Sequence, residues 1–513
     1  DNEISITVNE EILSIAYNRD QLILGTTKGY KFIKYPFTES DVINFVPNSP
    51  FTSRFSALTI LEDGRLVAGS GSGISVYDND GWRNILEIKQ SGTNTINEKY
   101  NYDYFIGDTV EYDFGEYIAD LEQGPDGLLY CAIRGSRVYS SNPPRYSGGV
   151  IVVDIDDPSN IYTIDTTFLS YFTTSNNSRP YQVTLDIEFD KSGNLWIANP
   201  YCTNGNNPIH VRSVNGNWRH YGSSETSVKI SQSPVSIEFD NWGRTWISSF
   251  MAEEANLGVY PNGGISLLTF EGNPYEPLDF SWQNIFNSGT VWSLGSGLNN
   301  RMYYLTPTGL NYFDLDNGTN PIIRENDYPY FPNISFGTGS GLKIDANGNI
   351  WTYSPTQGLH ILLENTSYWP DINGFRSTNS PLLSDEVVDI EFDEKKNLAY
   401  IATGNGISVL RIPFGSSKNN FSQIKIFPSP FYIPSTKNMV IDNLPYGSSM
   451  MITTLDGKLV VNKEYQSLGV NGDQIVWDGK NNSGNYVSTG VYIVHIYGPN
   501  GSNSESKITV VKK

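Results

Sequence analysis

A short phrase recurs along the first four-fifths of the chain: an apolar-alternating strand, an acidic turn with glycine, and a second strand that begins with an aromatic residue or leucine. The copies run over 186–198, 237–248, 342–351 and 389–402, with weaker ones at 58–68 and 121–132 and degenerate ones around 14–25 and 291–305. Their spacing of about 40 to 65 residues leaves room for about four strands per copy, which is the size of a propeller blade. The sequence predicts eight such units, and seven stays open because the copy at Val291 is poor and an N-terminal strand could close the ring on the last blade.

The turn of this phrase has a mechanical explanation. In the segment from Asp190 to Gly193 the aspartate side chain can accept backbone N–H groups, and the glycine can adopt the positive φ that closes the hairpin. The aromatic residue that follows is then held at a fixed place between neighbouring sheets. The tryptophans that we expect there are Trp196, Trp246 and Trp351.

Composition agrees with an all-β fold, because 13% aromatic residues with 47 glycines and 27 prolines suit short strands and tight turns. A formal charge of -21 repels a phosphate backbone, so nucleic acid is excluded as an expected partner. We find no apolar run of about 20 residues, and therefore expect no transmembrane segment and a mature, soluble form.

Metal and cofactor chemistry are not expected from the residue pattern. The four histidines are dispersed, with no His-x-x-x-His or Cys-x-x-Cys, so we expect no metal centre and no cofactor. Structural calcium in the aspartate-rich turns stays open, although none of these turns supplies a dense set of oxygen ligands. Cys131 and Cys202 are expected to be unpaired thiols, with their pairing left open.

The repeat resembles the regulator-type propeller repeats of bacterial extracellular sensors and surface proteins, over about residues 12 to 412. This resemblance implies a seven- or eight-bladed β-propeller over residues 1–414. It implies little about function, because propellers serve as enzymes, adhesins and scaffolds alike.

After Arg411 the repeat stops at a polar linker over 413–420, and a second domain follows over 421–513. Its segments alternate in the manner of strands, and Asp456-Gly457 is a two-residue hairpin signal. The most distinctive residues of this domain are Pro428, Pro430, Phe431, Trp477, Asp478, Gly479, Gly484, Gly490 and Tyr492.

These C-terminal residues resemble a FlgD-type immunoglobulin-like β-sandwich, and specifically the type A sorting domain of the type IX secretion system. The resemblance implies that the type IX machinery is a partner and that the chain is secreted to the cell surface, on the exterior of the outer membrane. A sandwich that serves only as a spacer stays open. The order of parts is similar to that of the PorZ family, whose members handle anionic lipopolysaccharide, although that family carries two propellers and this chain has room for one large ring.

The expected ligand site is one mouth of the central channel of the propeller, where the loops between the second and third strands of each blade converge. The insertion over 134–148 places arginine beside tyrosine in an otherwise acidic chain, which suits an anionic surface glycan or another surface protein. A loop that only packs over the neighbouring blade is the alternative. The expected site residues are Lys28, Arg134, Arg137, Tyr139, Arg145, Tyr146, Tyr201, Glu253 and Asn405.

The function expected from these features is a non-catalytic binding or assembly scaffold. We find no Gly-x-Ser-x-Gly nucleophile motif. The competing hypothesis is a secreted carbohydrate-active enzyme, a glycoside hydrolase or lyase, since paired acids need only meet in space. Glu253 and Glu254 are the candidate acids for that alternative.

Overall fold

A computed structural model describes most of the chain, and every regular element in the described residues is a β-strand. The described residues are 11–26, 29–34, 42–45, 48–50, 52–78, 81–87, 117–135, 148–172, 181–202, 206–222, 225–226, 230–251, 263–286, 289–318, 323–412, 421, 424–435, 438–442, 444–445, 448–464, 470–471, 474–498 and 501–512.

Eight antiparallel sheets precede residue 412, seven of them with four strands and the last with three. The first two sheets consist of β1 (Ile12–Asn18), β2 (Gln21–Thr26), β3 (Gly29–Lys34) and β4 (Val42–Phe45), then β5 (Ala57–Ile60), β6 (Leu66–Ser70), β7 (Gly73–Asp78) and β8 (Gly81–Glu87). The third and fourth consist of β9 (Tyr117–Gln123), β10 (Leu129–Arg134), β11 (Gly149–Val153) and β12 (Ile161–Ile164), then β13 (Asp186–Phe189), β14 (Leu195–Ala198), β15 (Ile209–Arg212) and β16 (Trp218–Tyr221).

The remaining four sheets continue the same up-and-down order. The fifth and sixth consist of β17 (Pro234–Phe239), β18 (Thr245–Ser249), β19 (Gly264–Gly272) and β20 (Pro277–Phe286), then β21 (Ser293–Gly297), β22 (Arg301–Thr306), β23 (Gly309–Asp314) and β24 (Arg324–Glu325). The seventh and eighth consist of β25 (Gly341–Ile344), β26 (Ile350–Ser354), β27 (Gly358–Leu362) and β28 (Tyr368–Trp369), then β29 (Val387–Asp393), β30 (Leu398–Thr403) and β31 (Gly406–Arg411).

Seven of these sheets form a closed cycle. The first strand of each sheet from β5 onward contacts the first strand of the next, and β29 contacts β5. Each pair of neighbouring sheets in the cycle encloses its own apolar cluster. The cluster that closes the cycle joins Ala402 of the sheet β29–β31 to Leu58 and Leu66 of the sheet β5–β8. Such a ring of radial sheets is the arrangement of a β-propeller.

Side chains near the start of the first strands tie neighbouring sheets together. Asp120 Oδ2 accepts a hydrogen bond from the N–H of Ile187 at 2.9 Å, and Asp186 Oδ2 accepts one from Ile237 at 2.6 Å. Asp389 Oδ2 accepts the corresponding bond from Leu58 at 2.7 Å. The junction between β29 and β5 therefore uses the same device as the junctions inside the ring.

The acidic turn of the repeat has the geometry that its sequence predicts. Asp190 Oδ1 accepts the N–H groups of Ser192 at 2.9 Å and Asn194 at 3.0 Å, and Gly193 has φ of 79°. Its Oδ2 accepts the indole N–H of Trp196 at 3.1 Å. Trp196 is fully buried and packs against Ile237 of the next sheet, so the turn fixes a core side chain between two sheets.

The degenerate copy around Ser14 forms the sheet β1 to β4, and the cycle closes without it. Strand β1 pairs with β2 rather than with β31. Its side chains are exposed along its whole length, including Leu13 at 66% and Tyr17 at 64%. In the described part of the chain, the last sheet of the cycle ends at its third strand, β31.

The C-terminal residues form two sheets around one separate core. One sheet has the order β32-β34-β38-β37 and the other has the order β33-β40-β39-β35-β36, in which β33 and β40 are parallel. These strands are β32 (Lys425–Phe427), β33 (Phe431–Ile433), β34 (Met439–Asp442), β35 (Ser449–Thr454), β36 (Leu459–Lys463), β37 (Val470–Asn471), β38 (Gln474–Trp477), β39 (Gly490–Tyr497) and β40 (Asn503–Lys512). The predicted hairpin at Asp456-Gly457 joins β35 to β36, with Gly457 at φ of 83°.

Two further observations concern the chain as a whole. Cys131 and Cys202 are both buried and free, which confirms the prediction of unpaired thiols. In the part of the chain that the structure describes, no helix is long and apolar enough to cross a bilayer.

Candidate functional site

The cycle of sheets surrounds a cavity of about 1140 Å³, lined by the first strands of all seven sheets. Because side chains alternate along a strand, each first strand directs every second side chain toward this channel. Because the repeat is the same in each sheet, equivalent residues of the seven first strands lie at the same height along the channel, and each such set is called a level here.

The most strongly charged level lies two residues before the turn of each copy. Four of its seven positions are glutamate and one is lysine. In chain order the level consists of Thr59, Glu122, Glu188, Glu238, Gly295, Lys343 and Glu391. Two residues earlier, Asp120, Asp186 and Asp389 also line the channel, beside serine and glycine from other strands.

Lys343 is placed close to the acids of one neighbouring strand. Its Nζ lies 3.0 Å from Glu391 Oε2 and 3.7 Å from Asp389 Oδ1. Burial opposes the charge on this lysine, but the surrounding carboxylates outweigh burial and raise its pKa well above its ordinary value. On the two levels just described, Lys343 therefore carries the positive charge beside seven carboxyl groups.

The carboxyl groups of the channel are hard to ionise. Burial raises the pKa of Glu122 to about 8, with the nearby Asp120 adding to the effect. Burial likewise raises the pKa of Glu238 to about 7 and that of Asp120 to about 6. For Glu188, burial and then the charges of Glu122 and Asp186 raise the pKa well above its usual range. Because a nearby cation favours the ionised form of a carboxyl group, a cation that enters the channel can offset this cost, whereas an anion would add to it.

One mouth of the channel carries an arc of aromatic side chains from neighbouring sheets. The ring of Tyr201 meets that of Phe250 edge to face at 5.7 Å, and Phe250 stacks on Trp292 at 6.2 Å. On the preceding sheet, the guanidinium of Arg134 lies 5.8 Å above the ring of Tyr117. All five side chains line the cavity. The mouth can therefore offer ring faces to a ligand that enters the channel.

Of the residues predicted at the mouth, two line the cavity, one does not, and the others lie outside the described part of the chain. Arg134 and Tyr201 both line the cavity, and Tyr201 has a left-handed φ of 64°. Asn405 is not among the lining residues, and its Nδ2 donates to the carbonyl of Leu383 at 3.3 Å. The predicted residues that lie outside the described part of the chain are Lys28, Arg137, Tyr139, Arg145, Tyr146 and Glu253, together with Glu254 of the enzyme alternative.

Lys28 lies in the sequence between strands β2 and β3. Their sheet lies outside the closed cycle, whereas the prediction assigned Lys28 to the same mouth as the other loops. The sequence marks the copy around Ser14 as degenerate, but it does not show that the sheet of this copy lies outside the ring.

Sequence reasoning missed the charged level of the channel. Glu188, Glu238 and Lys343 lie inside the repeat phrase that defined the fold, and they were read only as part of a strand. Aligning the copies on their turns places these residues at one position. An ionisable residue repeated at one strand position was the signal that could have found them.

Metal binding finds little support in the described geometry. Within the described ranges, no group of three or more histidine, cysteine, aspartate or glutamate side chains is arranged to hold a metal ion. The carboxylates of the turns already accept hydrogen bonds within the protein: Asp345, for example, accepts them from Asn349 and from the indole of Trp351.

The distinctive C-terminal residues converge on the core of the sandwich. The buried ring of Trp477 lies 6.0 Å from that of Phe431 and 6.3 Å from that of Tyr492. The hydroxyl of Tyr492 donates to the carbonyl of Ser488 at 2.7 Å. A Cβ at Gly479 would lie 2.6 Å from Ile433 Cγ2, so this glycine is required for close packing.

The other residues of that motif shape its turns and edges. Asp478 Oδ1 accepts the N–H of Lys480 at 3.0 Å, and Gly484 closes the turn at φ of 78°. Gly490 begins β39 and pairs with Val510. Pro428 and Pro430 flank the entry into β33. The motif is therefore mainly a set of packing and turn positions.

The solved structures similar to this chain include PorZ, an essential bacterial surface component of the type IX secretion system of Porphyromonas gingivalis. The two are 17% identical, the match covers 98% of this chain and 66% of the PorZ chain, and the TM-score is 0.69. This chain therefore spans 66% of the length of that protein. At this identity the likeness shows a shared fold and no more.

Other similar structures match less well. They include the extracellular domain of a putative hybrid two-component system from B. thetaiotaomicron, which is 13% identical with a TM-score of 0.46 over 98% of this chain and 68% of that chain. A streptogramin B lyase is also 13% identical, with a TM-score of 0.44 over 70% of this chain and 93% of that chain. A scan against protein-family models and a search of curated proteins found no match.

Proposed function

We propose that this chain is a non-catalytic binding or assembly scaffold on the bacterial cell surface, delivered by or belonging to a type IX secretion system. In this proposal the closed cycle is a seven-bladed propeller and residues 421–513 are an immunoglobulin-like sorting domain. The observation that carries the proposal is the likeness to PorZ, which extends over 98% of the chain and so covers both the propeller and the sandwich.

The environment of the histidines supports a scaffold rather than an enzyme. His210 and His220 hydrogen-bond to each other between adjacent strands at 2.7 Å. A ring nitrogen of His360 lies 3.0 Å from the carbonyl of Gln357, and His495 pairs with Glu505 at 2.8 Å. All four histidines of the chain are thus engaged in contacts within a sheet or its connecting loops.

An anionic surface glycan, if it is the ligand, belongs on the insertion over 134–148 rather than in the channel. Nine acidic side chains line the cavity against three basic ones, and this balance disfavours an anion there. Arg134, Arg137 and Arg145 are the donors that could outweigh this background, through charge-assisted hydrogen bonds.

The export part of the proposal is tested by removing residues 421–513. The propeller has its own apolar clusters, separate from the core of the sandwich, so the truncated chain should fold and accumulate in the periplasm. The full chain expressed at the same level serves as the control, and surface exposure is measured by protease accessibility on intact cells. Normal surface display of the truncated chain would refute the sorting role.

The scaffold part is tested by a glycan-hydrolysis screen of the purified full chain and of its E253Q/E254Q variant. We expect no turnover from either protein. Turnover that is lost in the double variant would replace the scaffold hypothesis with a carbohydrate-active enzyme. Copurification from native membranes is the complementary measurement, because a scaffold should retain its partners.

A further inference from the structure

The charges of the channel are distributed on two different sides. Strands β9, β13 and β17 are consecutive around the ring and contribute Glu122, Glu188 and Glu238 at one level. Lys343 comes from β25 and binds Glu391 of the neighbouring β29. The strands that separate these two groups, β5 and β21, carry Thr59 and Gly295 at the same level.

This asymmetry puts the direct contacts of Lys343 on one side of the channel, and Lys343 acts on Glu122 and Glu238 only at longer range. The contacts of Lys343 are with acids of β29, so its ammonium neutralises the opposite wall first. Asp120 and Asp186 each accept a backbone N–H from the next sheet, which satisfies one carboxyl oxygen but adds no positive charge. The three glutamates thus form a concentrated acidic wall that we name the glutamate wall, consisting of Glu122, Glu188 and Glu238.

Two independent features at the same cavity point to a ligand. The arc of Tyr201, Phe250 and Trp292 lies at the mouth, on sheets that also contribute to the glutamate wall or adjoin it. Ser340 also lines the cavity at 6% exposure, and its hydroxyl has no hydrogen-bond partner among the described residues. A buried hydroxyl without a partner carries an energetic cost that a bound polar group can remove.

We propose that the glutamate wall binds an organic cation, an ammonium or guanidinium group, which enters the channel past the aromatic arc. Carboxylates form short charge-assisted hydrogen bonds with such groups, and aromatic faces attract the same cations during entry. This inference names the ligand class of the scaffold's channel and to that extent rests on the proposed function.

The shape of the cavity favours an organic cation over a bare metal ion. Its volume of about 1140 Å³ is that of a site for a small molecule or an inserted side chain. The three glutamates belong to three different strands, and in the described residues no cluster has the arrangement of metal ligands. A metal ion would also leave the aromatic arc without a role.

Titration calorimetry on the purified full chain tests the proposal with spermidine and with the peptide Gly-Arg-Gly as probes. At low salt we expect binding of at least one probe, weakened as NaCl rises because added ions screen the attraction. Maltose is the neutral control and calcium chloride the metal control. Stronger binding of the peptide would indicate a protein side chain as the natural occupant, and stronger binding of spermidine a free polyamine, and either supports the site.

The decisive variant is E188Q/E238Q, for which we expect at least tenfold weaker probe binding. The matched control is E271Q, an exposed glutamate on β19 of the sheet that contains Glu238, and it should bind like the parent. If the double variant does not fold, E238Q alone should bind several-fold more weakly. Absence of binding by both probes, unchanged binding by a folded wall variant, or complete displacement of the probe by equimolar calcium would overturn the proposal. None of these results depends on secretion, so they leave the export test unaffected.

Discussion

Oδ2 of Asp389 accepts a hydrogen bond from the backbone N–H of Leu58 at 2.7 Å, across 331 residues of sequence. Leu58 is buried, so no water can replace this acceptor if it is lost. The bond joins β29 to β5 and closes the ring of sheets.

Replacing Asp389 with alanine should therefore lower the free energy of unfolding by about 1 to 3 kcal/mol, since it leaves a buried N–H unpaired. D389N keeps an acceptor oxygen and should recover most of the loss in chemical denaturation. S236A is the matched control at another junction, where the Oγ–N distance to Leu294 is 3.4 Å, and it should cost less. Equal losses in D389A and D389N would show that charge, not the hydrogen bond, secures the closure.

A second prediction concerns the turn carboxylate of Asp240, which accepts bonds from Arg244 Nε at 2.5 Å and from the indole of Trp246 at 2.9 Å. Arg244 is only 6% exposed, so D240A leaves a buried guanidinium without its charge partner. We expect a loss of about 3 kcal/mol or more in the free energy of unfolding. D126A removes an exposed aspartate from the third position of the corresponding turn, where it accepts a backbone N–H and a tyrosine hydroxyl, and should cost about 1 kcal/mol. Similar losses in the two variants would contradict the special role of burial.

A third prediction follows from the raised pKa of Glu238, which is about 7 because of burial. An unfolded glutamate has a pKa near about 4.3, so between these values the folded state binds more protons than the unfolded state. The free energy of unfolding must then fall as pH rises through this window and level off above it. E238Q should be more stable than the parent by about 1 to 3 kcal/mol at pH 8, with no difference near pH 4. The exposed control E271Q should show no such dependence in thermal denaturation.

The buried histidine pair gives a fourth prediction. Burial, and then the neighbouring His220, hold the pKa of His210 well below its ordinary value, and burial lowers that of His360 to about 4. In an NMR titration the His360 ring should remain neutral down to about pH 5, and the His210 ring should titrate well below an unfolded histidine, whose pKa is about 6.5. Because the unfolded state takes up these protons first, stability should fall as pH drops below about 6.5. A His210 midpoint near 6.5 would show that the pair is open to water.

The fifth prediction concerns the arginines of the insertion. Changing Arg134, Arg137 and Arg145 to glutamine should weaken binding of an anionic surface glycan by about 2 kcal/mol or more, if each contributes a charge-assisted bond. Thermal stability should be nearly unaltered, and binding by the parent should weaken as salt rises. Unfolding of the triple variant would indicate structural ion pairs, and parent-like binding would place the ligand elsewhere.

Much of the fold was predictable because local chemistry dictates it. The spacing from Asp190 to Trp196 defines a turn, a positive-φ glycine and a buried ring, and the structure has all three. The strands of the sandwich also follow the alternating pattern, as in β39, where Tyr492, Val494 and Ile496 are buried. These features depend on residues close in sequence, and a single chain contains that information.

Tertiary structure alone decided which sheets close the ring and what the channel contains. The copy around Ser14 has the strands of the others, yet its sheet stands outside the cycle because β29 meets β5. Glu122, Glu238 and Lys343 belong to separate copies, and only ring closure brings their charges to one level. Electrostatic interaction depends on distance in space, and the sequence sets that distance only through the packing of seven sheets.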